Sequence, residues 1–161
     1  MSYESPGTRL RRLWAQLSPL PGGKWIFSKL LGLMVPYTGR LGPTVLHFEP
    51  GHVRAQLTER RSVRNHLRSV HAMALANVGE LATGLAVLGA MPSTVRGILT
   101  GYSITYTKKA RGVLIAESKC AIPEVTDSVD YQVEAIIRDA EGDTVATVNA
   151  TWLLGPVKTR D

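Results

Sequence analysis

An α+β fold, in which one long buried helix packs against a curved antiparallel sheet, is predicted by three features of the sequence. Residues 70–95 form a helix-length apolar run, two strand-like segments precede it, and four more follow it with short breaks. Within the run, Ala72, Leu75, Val78, Leu81, Ala82, Leu85 and Leu88 lay apolar surface all round a helix instead of along one stripe. Such a helix belongs in a core.

The remaining elements follow in chain order. Leu10, Leu13, Trp14 and Leu17 have helical spacing beside Arg9, Arg11 and Arg12, and Pro19, Pro21, Gly22 and Gly23 end that segment. A second short helix is predicted from Lys24 to Met34, closing near Pro36 before the turn-rich GRLGP. Strands Val45 to Phe48 and His52 to Leu57 flank Glu49, Pro50 and Gly51, a hairpin pattern. A basic loop, ERRSVRNHLRSVH, leads into the apolar helix. Beyond it the strands run Ile98 to Lys108, Val113 to Ala121, Val129 to Asp139 and Thr144 to Leu154. In the third of these, Val129, Tyr131, Val133, Ala135 and Ile137 share one face, and Ala140, Glu141 and Gly142 form a hairpin tip. The outer edges of such a sheet need covering, which a dimer continuing the sheet would provide. The expected organisation is an N-terminal helical extension over residues 1–44 and one main domain over 45–161.

Composition narrows the function. The 161 residues contain 44% hydrophobic side chains, enough for one real core. The single cysteine, Cys120, excludes an intramolecular disulfide, and no histidine or cysteine cluster has metal spacing, so no metal is expected. The start MSYESPGTRLRRL lacks the layout of a signal peptide, which points to a reducing, cytoplasmic setting. A formal charge of +6 suits anionic partners, but aromatic content is only 6% and is not interleaved with the basic residues, which argues against nucleic acid. In the extension, Trp14, Trp25, Phe27 and Leu30 beside Arg and Lys allow two readings. They pack over the sheet or a dimer partner, or they make peripheral contact with an anionic membrane surface or reach an acyl chain.

Glu80 is the one residue of the apolar run that must be charged near neutral pH. An ionised carboxylate left unpaired in an apolar setting costs several kcal/mol, so it must be neutral, partnered or open to a cleft. A cleft carboxylate with a raised pKa suits general-base work. The competing structural role is an ion pair with Arg64 or Arg68 at a subunit interface.

The sequence RNHLRSVHAMALANVGELATG places Asn65, His71 and Glu80 at steps that resemble the hotdog-fold acyl-CoA thioesterases of the PaaI-like kind. GYSITYTKKARG is similar to the third strand and basic turn of that family, and the likeness covers about residues 45–154. The long lead-in is similar to the branch of the superfamily without assigned function. The resemblance implies a hotdog fold, a homodimer or homotetramer, an acyl-CoA substrate, and no cofactor beyond the coenzyme A of that substrate. It implies that the Ala72 N–H and the Asn65 amide polarise the thioester carbonyl at the start of the central helix. Glu80, from the other subunit, would activate water or attack directly. Lys108, Lys109 and Arg111 would meet coenzyme A phosphates, although a solvated turn is the ordinary meaning of such a run. His71 would anchor the helix start, and Thr100 is a candidate polar partner on the third strand.

One departure and one rival spacing stand out. Ala72 and Met73 occupy positions where the family usually has glycines, which implies a narrower, altered or non-catalytic site. His66 and Glu80 lie fourteen apart (80 − 66), as do the catalytic pair of hotdog dehydratases, but Leu67, Arg68, Ser69 and Val70 replace their proline-rich run. The implied activity is therefore thioester hydrolysis, with acyl-CoA binding without turnover as the alternative and dehydration as the third.

Overall fold

The computed structural model describes residues 5–157. Helices α1 (Pro6–Leu17), α2 (Gly23–Met34) and α3 (Pro36–Leu41) precede a hairpin of β1 (Thr44–Glu49) and β2 (His52–Thr58). The long helix α4 (Ala72–Ala90) follows, then β3 (Val95–Tyr106), β4 (Val113–Lys119), β5 (Val129–Arg138) and β6 (Thr144–Pro156). The six strands form one antiparallel sheet in the order β1-β2-β4-β5-β6-β3.

Helix α4 packs against β1, β2, β4, β5 and β6, so the sheet curls round it in the hotdog arrangement. Its 19 residues are long and apolar enough to cross a membrane by length and composition, yet twelve of them are buried in this core. Val53, Ala55 and Leu57 of β2, Leu114 and Ala116 of β4, and Val133, Ala135 and Ile137 of β5 meet it at alternate positions. This period of two is what a sheet with one packed face requires. Val129 departs from the expected packed face, because the β5 end that carries it is exposed.

The N-terminal helices share this core. Ser5 caps α1 by accepting from the Thr8 N–H at 3.2 Å, and Pro6 opens the helix where a missing N–H is harmless. The Phe27 ring of α2 is fully buried between Trp14 and Phe48, with centroids 5.0 and 6.1 Å away. Arg11 donates to the Gly89 carbonyl at 2.6 Å, at the end of α4 where backbone acceptors lack partners within the helix. Helix α3 is an element that the sequence pattern did not reveal. Its six residues lie between Pro36 and the left-handed Gly42 (φ 60°), and Gly32 and Gly39 let it pack backbone to backbone on α2.

The two edges of the sheet differ. On β1, the Val45 N–H donates to Ser28 Oγ (2.9 Å) and the Leu46 carbonyl accepts from Lys24 Nζ (2.9 Å), so α2 covers that edge. At the far side, among the described residues β3 pairs with β6 alone and leaves twelve residues of strand open on its other side.

Candidate active site

The loop between β2 and α4 is built around the Asn65 side chain. Its Oδ1 accepts from the Leu67 N–H (2.9 Å), the Ser69 N–H (3.2 Å) and Ser69 Oγ (3.2 Å), while a bridge between Arg64 and Val70 closes the loop. An asparagine oxygen that takes neighbouring backbone N–H groups fixes the turn and the orientation of its own amide. Arg68 holds φ 54° within this turn, an uncommon conformation for a residue with a side chain. The Asn65 NH2 has no acceptor among the described residues, and the residue lines a cavity.

A second set of bonds straps this loop to the β3–β4 turn. Glu59 accepts from Arg64 Nε and from the Gly112 N–H, both at 2.6 Å. The Val70 N–H donates to the Ala110 carbonyl at 2.8 Å, and Arg111 Nε donates to the Arg68 carbonyl at 3.3 Å. The Gly112 N–H, and after it the Arg64 guanidinium, hold the Glu59 carboxyl below the usual carboxylate range against partial burial.

At the start of α4, His71 acts as the cap. Its Nδ1 accepts from the Met73 N–H (3.0 Å), and its carbonyl accepts from Ala74 and Leu75. The Ala72 N–H is left in the first turn with no acceptor among the described residues. From β3, Tyr106 donates to the Ala72 carbonyl (3.0 Å) and Tyr102 to the Ala76 carbonyl (2.5 Å), which pins this end of the helix. Neither tyrosine was singled out from sequence. Their two-residue spacing with Ile104 in GYSITY carried the signal, since it places all three on the face turned to the helix.

Asn65, Ala72, Lys108 and Lys109 line one cavity of about 370 Å³ with Val70 and Tyr106. Four of the residues singled out from sequence thus converge. Met73 is exposed and lies outside this lining, so its bulk does not fill the cavity.

The structure departs from expectation at Lys108. Its ammonium is ringed by Asp139 (2.7 Å), Asp143 (2.7 Å) and Glu141 (3.1 Å) of the β5–β6 hairpin, so it offers no surplus charge to a phosphate. These carboxylates lie close enough together to share a cation, and the ammonium takes that place. The bond from Lys108 holds the Asp139 carboxyl below its ordinary value. A depressed carboxylate contributes stability above its unfolded pKa and loses it as pH falls through the folded one. Lys108→Gln should therefore lower the melting temperature at pH 7, and the difference from the native chain should vanish in acid and shrink in high salt. Lys109 and Arg111 remain exposed at the turn, with Lys109 on the cavity wall.

Glu80 is not in this cavity. It stands eight residues along the same helix from Ala72, about 12 Å by helical rise. Its carboxylate is half-buried, with Gly84 between it and the Trp152 indole, and no hydrogen-bond or ion-pair partner among the described residues. Arg64, proposed as a structural partner, is already bound to Glu59. Burial alone pushes the Glu80 carboxyl above its ordinary value. It also raises the Tyr102 hydroxyl, with the Glu80 charge as the second cause. Thr100 sits at a bulge in β3, exposed, its hydroxyl on the Thr151 carbonyl (3.2 Å), and it does not line the cavity. The exposed His66 is outside the lining too.

Residues 23–154 match the family described as a domain of unknown function, DUF4442. No protein of curated function matches the sequence. Among solved structures, the genomics protein APC5556 is 25% identical, with a TM-score of 0.79 over 94% of this chain and 99% of its own. PA5026 of Pseudomonas aeruginosa, a protein of unknown function called a probable thioesterase, is 22% identical, with a TM-score of 0.72 over 86% of this chain and 97% of its own. A hypothetical thioesterase from Streptococcus pneumoniae TIGR4, solved with coenzyme A, is 19% identical, with a TM-score of 0.64 over 80% of this chain and 99% of its own.

Proposed function

The chain belongs to the DUF4442 family of hotdog domains, and because that label assigns no chemistry, we propose from the site that it hydrolyses an acyl-CoA thioester. The observation that carries this reading is the convergence of the Ala72 N–H and the oriented Asn65 amide on one cavity. Two donors on one cavity wall, one of them at the positive end of a helix, are of the kind a developing oxyanion needs.

In this reading the thioester carbonyl enters between Asn65 Nδ2 and the Ala72 N–H. A carboxylate takes a proton from water as the new C–O bond forms, negative charge collects on the carbonyl oxygen, and its collapse breaks the C–S bond. The departing thiolate receives the proton. Glu80 of the same chain is too far along α4 for that role, so the base is Glu80 of a second copy. The open β3 edge supports such a pairing, because joining two of these edges covers both strands. Lys109 and Arg111 remain to meet the phosphates of coenzyme A.

The Ala72 methyl, where related enzymes usually have glycine, favours a second reading as an acyl-CoA binding protein without turnover. Thiol release from short, medium, long and aryl acyl-CoAs separates the two. Release that depends on Glu80 supports hydrolysis and reports the acyl class, whereas binding with no release from any member overturns it.

A further inference from the structure

Helix α2 is apolar on both sides. Phe27 and Leu31 enter the core, while the outer side and the corner leading into α3 expose Trp25, Leu30, Leu33, Met34, Val35 and Tyr37. Leu33 is 77% exposed, Tyr37 66% and Trp25 59%, and the residues from Leu33 to Tyr37 are consecutive, exposed and uncharged. A surface helix ordinarily turns polar residues outward, and a concentrated apolar patch marks an interaction site.

The charge around the patch indicates what covers it. From Ser5 to Phe48 the sequence contains no Asp or Glu, whereas Lys24, Lys29 and Arg40 lie on α2 and α3 themselves. Lys29 stands 5.5 Å from the Trp25 ring, beside the apolar face. A second copy of this surface would bring further cations and no carboxylate to meet them. An anionic bilayer offers both an apolar interior and a negatively charged surface, and Trp and Tyr settle at its boundary. We propose that the α2–α3 corner is a membrane-docking surface that inserts Trp25, Leu33, Met34 and Tyr37 into an anionic lipid interface, with Lys29 and Arg40 at the headgroups.

The structure redraws the expected contact set. Trp14 and Phe27 meet edge to face within the protein, their ring centroids 5.0 Å apart, and are taken up by that contact, whereas Trp25 and Leu30 are exposed. The surface is independent of the proposed chemistry, since no residue of the α2–α3 corner lines the cavity that holds Asn65.

The test is flotation of the full chain with vesicles of phosphatidylcholine alone and with about 30% phosphatidylglycerol, read without any thioester. Binding to the anionic vesicles is expected, together with a shift of Trp emission to shorter wavelength that Trp25→Phe removes. Lys29→Gln with Arg40→Gln should weaken binding roughly tenfold or more, as should about 0.5 M salt. Leu33→Asp with Trp25→Ser should abolish it, and Met34→Gln with Tyr37→Ser is an independent pair on the same exposed corner should the first destabilise the fold. No binding to anionic vesicles at low salt overturns the proposal. So does equal binding by folded variants. A Leu33→Asp chain that falls to a smaller assembly, with no lipid binding by the native chain, would instead assign the surface to a second copy.

Discussion

Glu80→Gln is expected to lower thiol release by two orders of magnitude or more while leaving the melting temperature at pH 7 unchanged or raised. Loss of a general base commonly costs a factor of 10² to 10⁴. The stability half of the prediction follows from burial. The folded protein raises the Glu80 carboxyl above its unfolded value through desolvation, with no compensating cation among the described residues. A group raised in this way leaves the fold at its most stable below the unfolded pKa, where the carboxyl is neutral in both states, and burdens it as pH rises through the folded pKa. Glutamine never ionises, so any gain from the substitution should be complete above the raised folded pKa, fade as pH falls through it, and be gone below the ordinary value of about 4.5. The same titration predicts an acid limb in the native pH–rate profile, displaced upward from an ordinary carboxylate. A variant that unfolds at pH 7 would make Glu80 a structural residue and remove it from the mechanism.

Asn65 separates chemistry from architecture through two substitutions. Asparagine to aspartate keeps an oxygen for the Leu67 N–H, the Ser69 N–H and the Ser69 hydroxyl, but replaces the NH2 donor by an acceptor. Asn65→Asp should retain the fold and lose about 10² to 10³ in kcat, the usual effect of removing one oxyanion donor. Asn65→Ala also leaves the Leu67 and Ser69 donors without that partner, at about 1–3 kcal/mol for each one that water cannot reach. It should therefore lose stability as well as rate. Comparable rates for native and aspartate chains would show that the amide donates nothing to the transition state. Parallel losses of melting temperature and rate in both variants would leave only the loop-building role.

Much of the fold was legible because its signals are local. Alternation through Val133, Ala135 and Ile137 and the unbroken apolar character from Leu81 to Val87 each report burial within one element. Helix α3 escaped because Pro36, Gly39, Gly42 and Pro43 read as turn residues, while the contact that makes them helical comes from Gly32, in the preceding helix. The candidate site was legible as residue types but not as partnerships. Nothing near Lys108 in the sequence reveals three carboxylates more than thirty residues away, and those carboxylates decide what its charge can do. The Asn65 spacing pointed to the cavity, but the direction of its amide is set by Ser69 and Leu67. Glu80 was visible as the lone acid in an apolar run, while its separation from Ala72 follows from helix geometry and means that one copy holds only half of the proposed machinery.

The unequal margins of the sheet also set the arithmetic of assembly. Ser28 and Lys24 occupy the backbone of the β1 margin, so among the described residues strand-to-strand addition is left with the β3 margin. A unit with two sticky margins can add neighbours without end and grow into a fibre. A unit with one is consumed by its first partner, so growth by edge pairing terminates at a pair. Unseating α2 would change that valence from one to two, and the foreseeable failure of a chain weakened there is a polymer rather than an inactive monomer.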